Sequence, residues 1–187
     1  MRSFYLLLGY VVSLWLTLSG PAQALPPIAS AEITVSTASA STTIAQIAAG
    51  AAGQFLRFDP DAKHEVSWEQ PLWLHFRVRA DSATSATEWT LALDKPFIDR
   101  VEFYARSPQG GWQMQAAGDW TAHKQWPQRS LNPQFYLPAL SPGEHDFYVR
   151  VFNQVPVHFS MQWLPTANAN LQMQQTFTLA ALMLGFM

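Results

Sequence analysis

The chain contains no cysteine among its 187 residues, which excludes disulfides and thiolate metal sites and leaves a packed core as the source of stability. Its five histidines, His64, His75, His123, His145 and His158, are scattered and lack the close pairing of zinc sites. No Gly-x-Ser-x-Gly, His-Glu-x-x-His or phosphate loop occurs, so the common nucleophilic, zinc-protease and nucleotide chemistries are not indicated. Asp59 and Asp61 flank Pro60 without a following calcium-ligand pattern and read as a solvated turn. A glycosidase needs two facing carboxylates, but Asp99 beside Arg100 and Asp119 after Gly118 read as turn and ion-pair residues, with Glu102 left alone. No enzymatic activity, cofactor or metal is expected. Lys and Arg number 11 against 13 Asp and Glu, a net charge of −2 that carries no nucleic-acid signature.

Both ends differ from the middle. Residues 1–24 have the parts of a secretory signal: Arg2, an apolar run over 4–18, and Ala22-Gln23-Ala24 after the helix-breaking Gly20-Pro21. The rival is an uncleaved anchor, but the run is short of the ~20 residues that span a bilayer, and cleavage after Ala24 is the expectation. An exported chain without disulfides fits a bacterial periplasm. Residues 25–53 are rich in Ala, Ser and Thr, with too little apolar surface to offset chain entropy. They read as a linker, mobile before Thr42, with a short strand at 33–35 and a short helix in which Ile44, Ile47 and Ala48 follow a Thr42-Thr43 cap; more linker is the alternative. Over 167–187 a polar connector leads to an apolar run from Phe177, interrupted by Thr178 alone. With no Lys or Arg after Arg150, this reads as the first part of a transmembrane helix, against the plainer reading of a core helix.

Residues 54–166 have the texture of an all-β domain. In 72–79 Leu72, Leu74, Phe76 and Val78 alternate with Trp73, His75, Arg77 and Arg79, so one sheet face enters a core and the other carries polar and aromatic groups. Trp89, Leu91 and Leu93, then Val101 and Phe103, then Phe147, Val149 and Val151, repeat the pattern. Ser107-Pro108-Gln109-Gly110-Gly111 and Ser141-Pro142-Gly143-Glu144 are tight turns. About seven or eight short strands with no helical period between them predict an antiparallel β-sandwich of jelly-roll type.

Several pieces, in order, resemble one family: Leu72-Trp73-Leu74-His75-Phe76; residues 94–104, with Lys95-Pro96-Phe97-Ile98-Asp99-Arg100-Val101 at their centre; Gly110-Gly111-Trp112 followed by Ala117-Gly118-Asp119; Leu140-Ser141-Pro142-Gly143; Tyr148-Val149-Arg150-Val151; and the apolar Leu182 to Gly185. The similarity, over roughly 55–187, is to the second type of extracellular domain in bacterial seven-transmembrane receptors with diverse intracellular signalling modules. That resemblance implies a jelly-roll ectodomain similar to carbohydrate-binding modules, placed before membrane helices and a cytoplasmic output such as a diguanylate cyclase or histidine kinase. Where the family commonly has Arg after Trp-Leu, this chain has His75, with Arg77 two residues on.

Eight Trp is a high count, and aromatic planes beside polar groups suit sugar rings. Trp89, Trp112 and Trp163 are in phase with inward aliphatics and are expected in the core. Trp73, His75, Arg77, Tyr148 and Arg150 are out of phase with theirs and form the expected ligand face, with Trp120 and Arg129 in an irregular loop that rims it. A purely structural Arg–aromatic cluster remains the alternative. Two function classes stay open: a receptor input domain binding a small saccharide or anionic ligand and attached to the membrane through its C-terminal helix, and a stand-alone exported binding or adhesion module. Dimerisation is left open.

Overall fold

The computed structural model describes residues 32–51 and 53–169. The expected signal peptide and the apolar run from Phe177 lie outside the described residues. Among the described residues, no helix is long and apolar enough to cross a membrane.

The alternating segment becomes strand β3 (Leu72–Ala80), and its neighbour is β8 (Gly143–Phe152), paired antiparallel from Leu72↔Val151 to Ala80↔Gly143. Around this pair a six-stranded antiparallel sheet runs in the order β2-β1-β3-β8-β5-β6, with β1 Glu32–Thr37, β2 Leu56–Arg57, β5 Arg100–Arg106 and β6 Trp112–Ala117. Facing it is a three-stranded sheet, β7-β4-β9, of Gln134–Tyr136, Trp89–Leu93 and Met161–Pro165. Two antiparallel sheets packed face to face make the all-β sandwich expected from the alternation, with unequal sheets.

The core lies between them. Leu74, Phe76 and Val78 of β3, Phe103 of β5 and Val149 of β8 meet Leu91 of β4 and Phe135 of β7, all essentially inaccessible. Phe76 meets Trp163 edge-on at 5.5 Å and Phe103 lies 5.7 Å from Phe135, so aromatic rings interlock the sheets. Each such buried side chain contributes about 1.5–3 kcal/mol, enough for a cysteine-free domain of this size. The β5–β6 hairpin turns through Gly110 and Gly111 at φ of 90° and 78°, a backbone region only glycine takes without strain.

Three expectations need correction. The short strand expected at 33–35 is present but longer, and residues 32–37 are part of the sandwich rather than linker: β1 pairs with β3 along its full length, Glu32↔Arg77 to Thr37↔Leu72. Backbone hydrogen bonding to an otherwise open edge of β3 recruits this mostly polar segment, and its Ile33 and Val35 pack against the core. Trp112 is not in the main core. β6 is an edge strand whose Gln113 and Gln115 share the inner face with Ala117, and its Trp112 and Met114 point outward. Finally, the loop between β6 and β7, with a short 3-10 helix at His123–Gln125, meets the large sheet's face only near Trp120 and then crosses the outside of the small one. There Gln128 is buried and its amide donates to Thr90 Oγ1 of β4 at 3.0 Å.

Candidate functional site

Three cross-strand rows on the outer face of the large sheet hold the residues of interest. In the first, Glu32, Arg77 and Asp146 are aligned across β1, β3 and β8. In the second, His75, Tyr148, Tyr104 and Met114 run across β3, β8, β5 and β6. In the third, Trp73, Arg150, Glu102 and Ala116 run across the same four strands. Residues two apart on a strand share a face, so the register alone brings Trp73, His75, Arg77, Tyr148 and Arg150 together.

The third row is a buried polar network. Glu102 accepts from Arg100 Nε at 2.8 Å and from the Tyr104 hydroxyl at 2.6 Å, with Arg150 Nη1 at 3.7 Å. A buried carboxylate is tolerated only when partners replace its water, and here two guanidinium groups and a phenol do so. Burial, then the bond to Glu102, pushes the Tyr104 phenol far above its ordinary value. Arg150 also lies over the rings of Trp73 and Phe152, at 5.0 and 4.5 Å from their centroids.

What covers this row is a strap formed by residues 38–51. Helix α1 (Ile44–Ala48) within it is closed by a capping box, in which Gln46 N donates to Thr43 Oγ1 and Thr43 N donates to Gln46 Oε1. Its Ile47, 2% exposed, packs on Trp73 and Tyr148, and the Ala40 carbonyl accepts from Arg150 Nη2. Trp73 is therefore at 0% exposure and presents no open stacking plane in this arrangement. Alternation shows which face a residue takes but cannot show that a later-packed segment covers that face.

Beyond the strap the face opens into a cleft of ≈ 540 Å³ lined by Ala48, Arg106, Trp112, Glu144, Asp146 and Tyr148, among others. Arg106 lies 4.0 Å over the Trp112 ring, and Trp112 meets Tyr148 edge-on at 5.3 Å. His75 stacks on Tyr148 at 4.7 Å and its Nε2 is 2.7 Å from Asp146 Oδ1, with Arg77 Nε at 3.5 Å from the same oxygen. Burial and the nearby Asp146 charge raise the Tyr148 phenol above its ordinary value. Aromatic walls, a guanidinium and two carboxylates side by side offer apolar contact together with both donors and acceptors.

The two loop residues fall elsewhere. Trp120 is 62% exposed and packs at 4.6 Å on Trp68, which stacks on Phe152 at 5.1 Å, so it joins this face at the end remote from Tyr148. Arg129 is exposed beside Gln128 on the outside of the small sheet and is separated from the other predicted residues by the sandwich itself. Arg106, Trp112 and Asp146, which line the cleft, and Glu102 of the buried network are not among the residues the sequence pattern singled out for the ligand face. Glu102 is legibly out of phase with Val101 and Phe103, but the adjacency of β5 and β8 that brings it to Arg150 is not written in local spacing.

The described residues thus form an antiparallel sandwich with a partly covered aromatic and charged cleft on its larger sheet. The sequence matches the family described as 7TMR-DISM extracellular 2 over residues 32–164, and the chain belongs to that family. The match begins at β1, in agreement with the strand's place in the large sheet. No curated protein matches the chain. The domain is thus of the kind that forms the extracellular part of a receptor.

Proposed function

We propose that this domain is the periplasmic ligand-sensing input of a membrane receptor, and that its ligand is a small polar molecule with a saccharide-like face. The observation that carries this reading is the cleft in which Trp112, Tyr148, Arg106 and Asp146 converge. A sugar has an apolar ring face and equatorial hydroxyls; Trp112 supplies contact for the first, and Arg106, Asp146 and Glu144 supply donors and acceptors for the second. The signal passes from the sandwich through the segment after β9 to the membrane, where the apolar run from Phe177 serves as the first crossing.

Calorimetric titration of a panel of neutral and acidic mono- and oligosaccharides into wild type and Trp112→Ala tests the site. Binding that Trp112→Ala weakens, with little change in melting, supports it. Saccharide binding that is indifferent to Trp112→Ala places the ligand elsewhere. Receptor function is tested separately, by the reading frame beyond residue 187: a frame coding for further apolar segments supports the receptor, and an immediate stop supports a stand-alone binding or adhesion module.

A further inference from the structure

We infer that the face covered by the 38–51 strap is a subsite for a carboxylate-bearing ligand, opened when the strap lifts, and that the strap is the gate to it. The inference rests on the proposed reading of this outer face as the ligand face, on which the subsite and the cleft are neighbours along β3 and β8. Among the described residues, two donors on this covered face have no hydrogen-bond partner: the Trp73 indole Nε1, on a side chain at 0% exposure, and Arg150 Nε, on a residue at 9%. An unmet buried N–H is costly, and two beside each other, with the guanidinium 5.0 Å from the indole ring, mark a place that asks for an acceptor.

Charge selects the kind of acceptor. Arg150 and Arg100 face one buried carboxylate, Glu102, and Glu102 already accepts from Arg100 and Tyr104. The network therefore holds a surplus of positive charge and of N–H donors, which suits an anionic oxygen pair better than a hydroxyl. At present the Ala40 carbonyl serves Arg150 Nη2, a neutral acceptor in the place of the anion.

The strap is lightly held. Of helix α1 only Ile47 is fully buried, with Ala38, Ile44 and Ala48 of the strap partly exposed against the same cluster, and the segment's other ties to the body include backbone bonds from Ala40 N to the Glu69 carbonyl at 2.8 Å and from Ala38 N to the Pro71 carbonyl at 3.4 Å. Few buried apolar contacts make such a segment the first to open. A ligand that needs the strap lifted binds with its affinity reduced by the fraction of time the strap is open, so loosening the strap tightens binding.

The test follows individual indole N–H resonances in the isotope-labelled full chain, assigned by Trp73→Phe and Trp112→Phe, during titration with D-galacturonate, with D-galactose and sodium acetate as comparisons. The expected result is that galacturonate moves the Trp73 resonance and galactose does not. Thr43→Ala, which breaks the α1 cap without touching the subsite, should lower the galacturonate Kd by about tenfold. Arg150→Gln should abolish the preference for galacturonate over galactose. Acetate moving Trp73 as galacturonate does supports the carboxylate subsite independently of the sugar ring. If no carboxylate moves Trp73 in either wild type or Thr43→Ala, the two donors hold only a water and the inference is overturned. If Trp112 responds and Trp73 stays still, the cleft stands and the gated subsite falls; if Trp73 alone responds, the subsite stands and the cleft falls.

Discussion

The Gln115 side chain caps the backbone of Tyr136 on both sides, its Nε2 donating to the Tyr136 carbonyl at 2.6 Å and its Oε1 accepting from the Tyr136 N–H at 3.0 Å. Gln115 belongs to β6, the edge of the large sheet, and Tyr136 to β7, the edge of the small one. One side-chain amide thus replaces a missing strand, closes the sandwich along this seam and blunts an edge that would otherwise pair with another chain.

Gln115→Ala is expected to destabilise the domain by about 1–2 kcal/mol, the value of two hydrogen bonds whose backbone partners regain water. Urea unfolding with an unchanged slope would show that loss, and faster hydrogen exchange at Tyr136 would locate it. An unchanged Tyr136 exchange rate would mean that β7 is held by β4 alone.

Gly118 bears a second seam. Its φ is +110°, and a Cβ there would lie 2.8 Å from Arg100 Cα and from the carbonyl oxygens of Ile98 and Asp99. Gly118→Ala combines forbidden backbone with a clash against rigid main chain and should cost roughly 3 kcal/mol or more. Gly110 has φ +90° but open space around it, so Gly110→Ala should cost only about 1 kcal/mol. Thermal melts of the two variants order them; equal losses would show that the clash is relieved by movement of the loop at Asp99.

The phenols of Tyr104 and Tyr148 are both held above the ordinary 10.0, by burial first and then by Glu102 or Asp146. The folded state keeps these protons after the unfolded chain has released them, so their contribution to stability is complete below about pH 10 and declines as pH rises beyond it. Denaturant midpoints measured between neutral and strongly alkaline pH should fall above that point, and Tyr104→Phe should flatten the fall. A slope that Tyr104→Phe leaves intact would assign the alkaline loss to other groups.

How far the sequence carried these conclusions depends on what each residue's position records. The alternation in β3 and β8 writes the inner and outer faces directly, and Leu74, Phe76, Val149 and Val151 lie where their phase puts them. The Thr42-Thr43 cap before Ile44, Ile47 and Ala48 likewise announces a helix start, which Thr43 provides. Trp112 was misread because an edge strand next to open solvent need not turn its largest residue inward. Trp120 and Arg129 are close in sequence, yet Trp120 packs toward Phe152 of the large sheet and Arg129 lies beside Gln128 on the small one; a loop that crosses the end of a sandwich gives no local sign of where it crosses. Burial of Trp73 and Arg150 under Ile47 is a tertiary event between segments far apart in the chain, invisible to any window of residues.

Arg77 and Arg150 share a face and a residue type, and their substitutions should nevertheless behave in opposite ways. The Arg77 side chain is 57% exposed and its contact with Asp146 is 3.5 Å in solvent, so Arg77→Ala should change stability by no more than ~0.5 kcal/mol. The Arg150 side chain is 11% exposed, faces Glu102, lies over Trp73 and Phe152, and donates to the Ala40 carbonyl. Its removal leaves a buried carboxylate with one fewer cation and frees the strap, but Arg100 and Tyr104 still hold Glu102, so the loss should be roughly 2–3 kcal/mol rather than the full cost of an orphaned charge. Adding Glu102→Gln to Arg150→Ala should recover part of that loss, because the uncompensated charge goes with it. Urea unfolding of the two single variants and the double variant measures all three values. If Arg150→Ala proves as mild as Arg77→Ala, the network beneath the strap is open to water and Glu102 is not buried in solution.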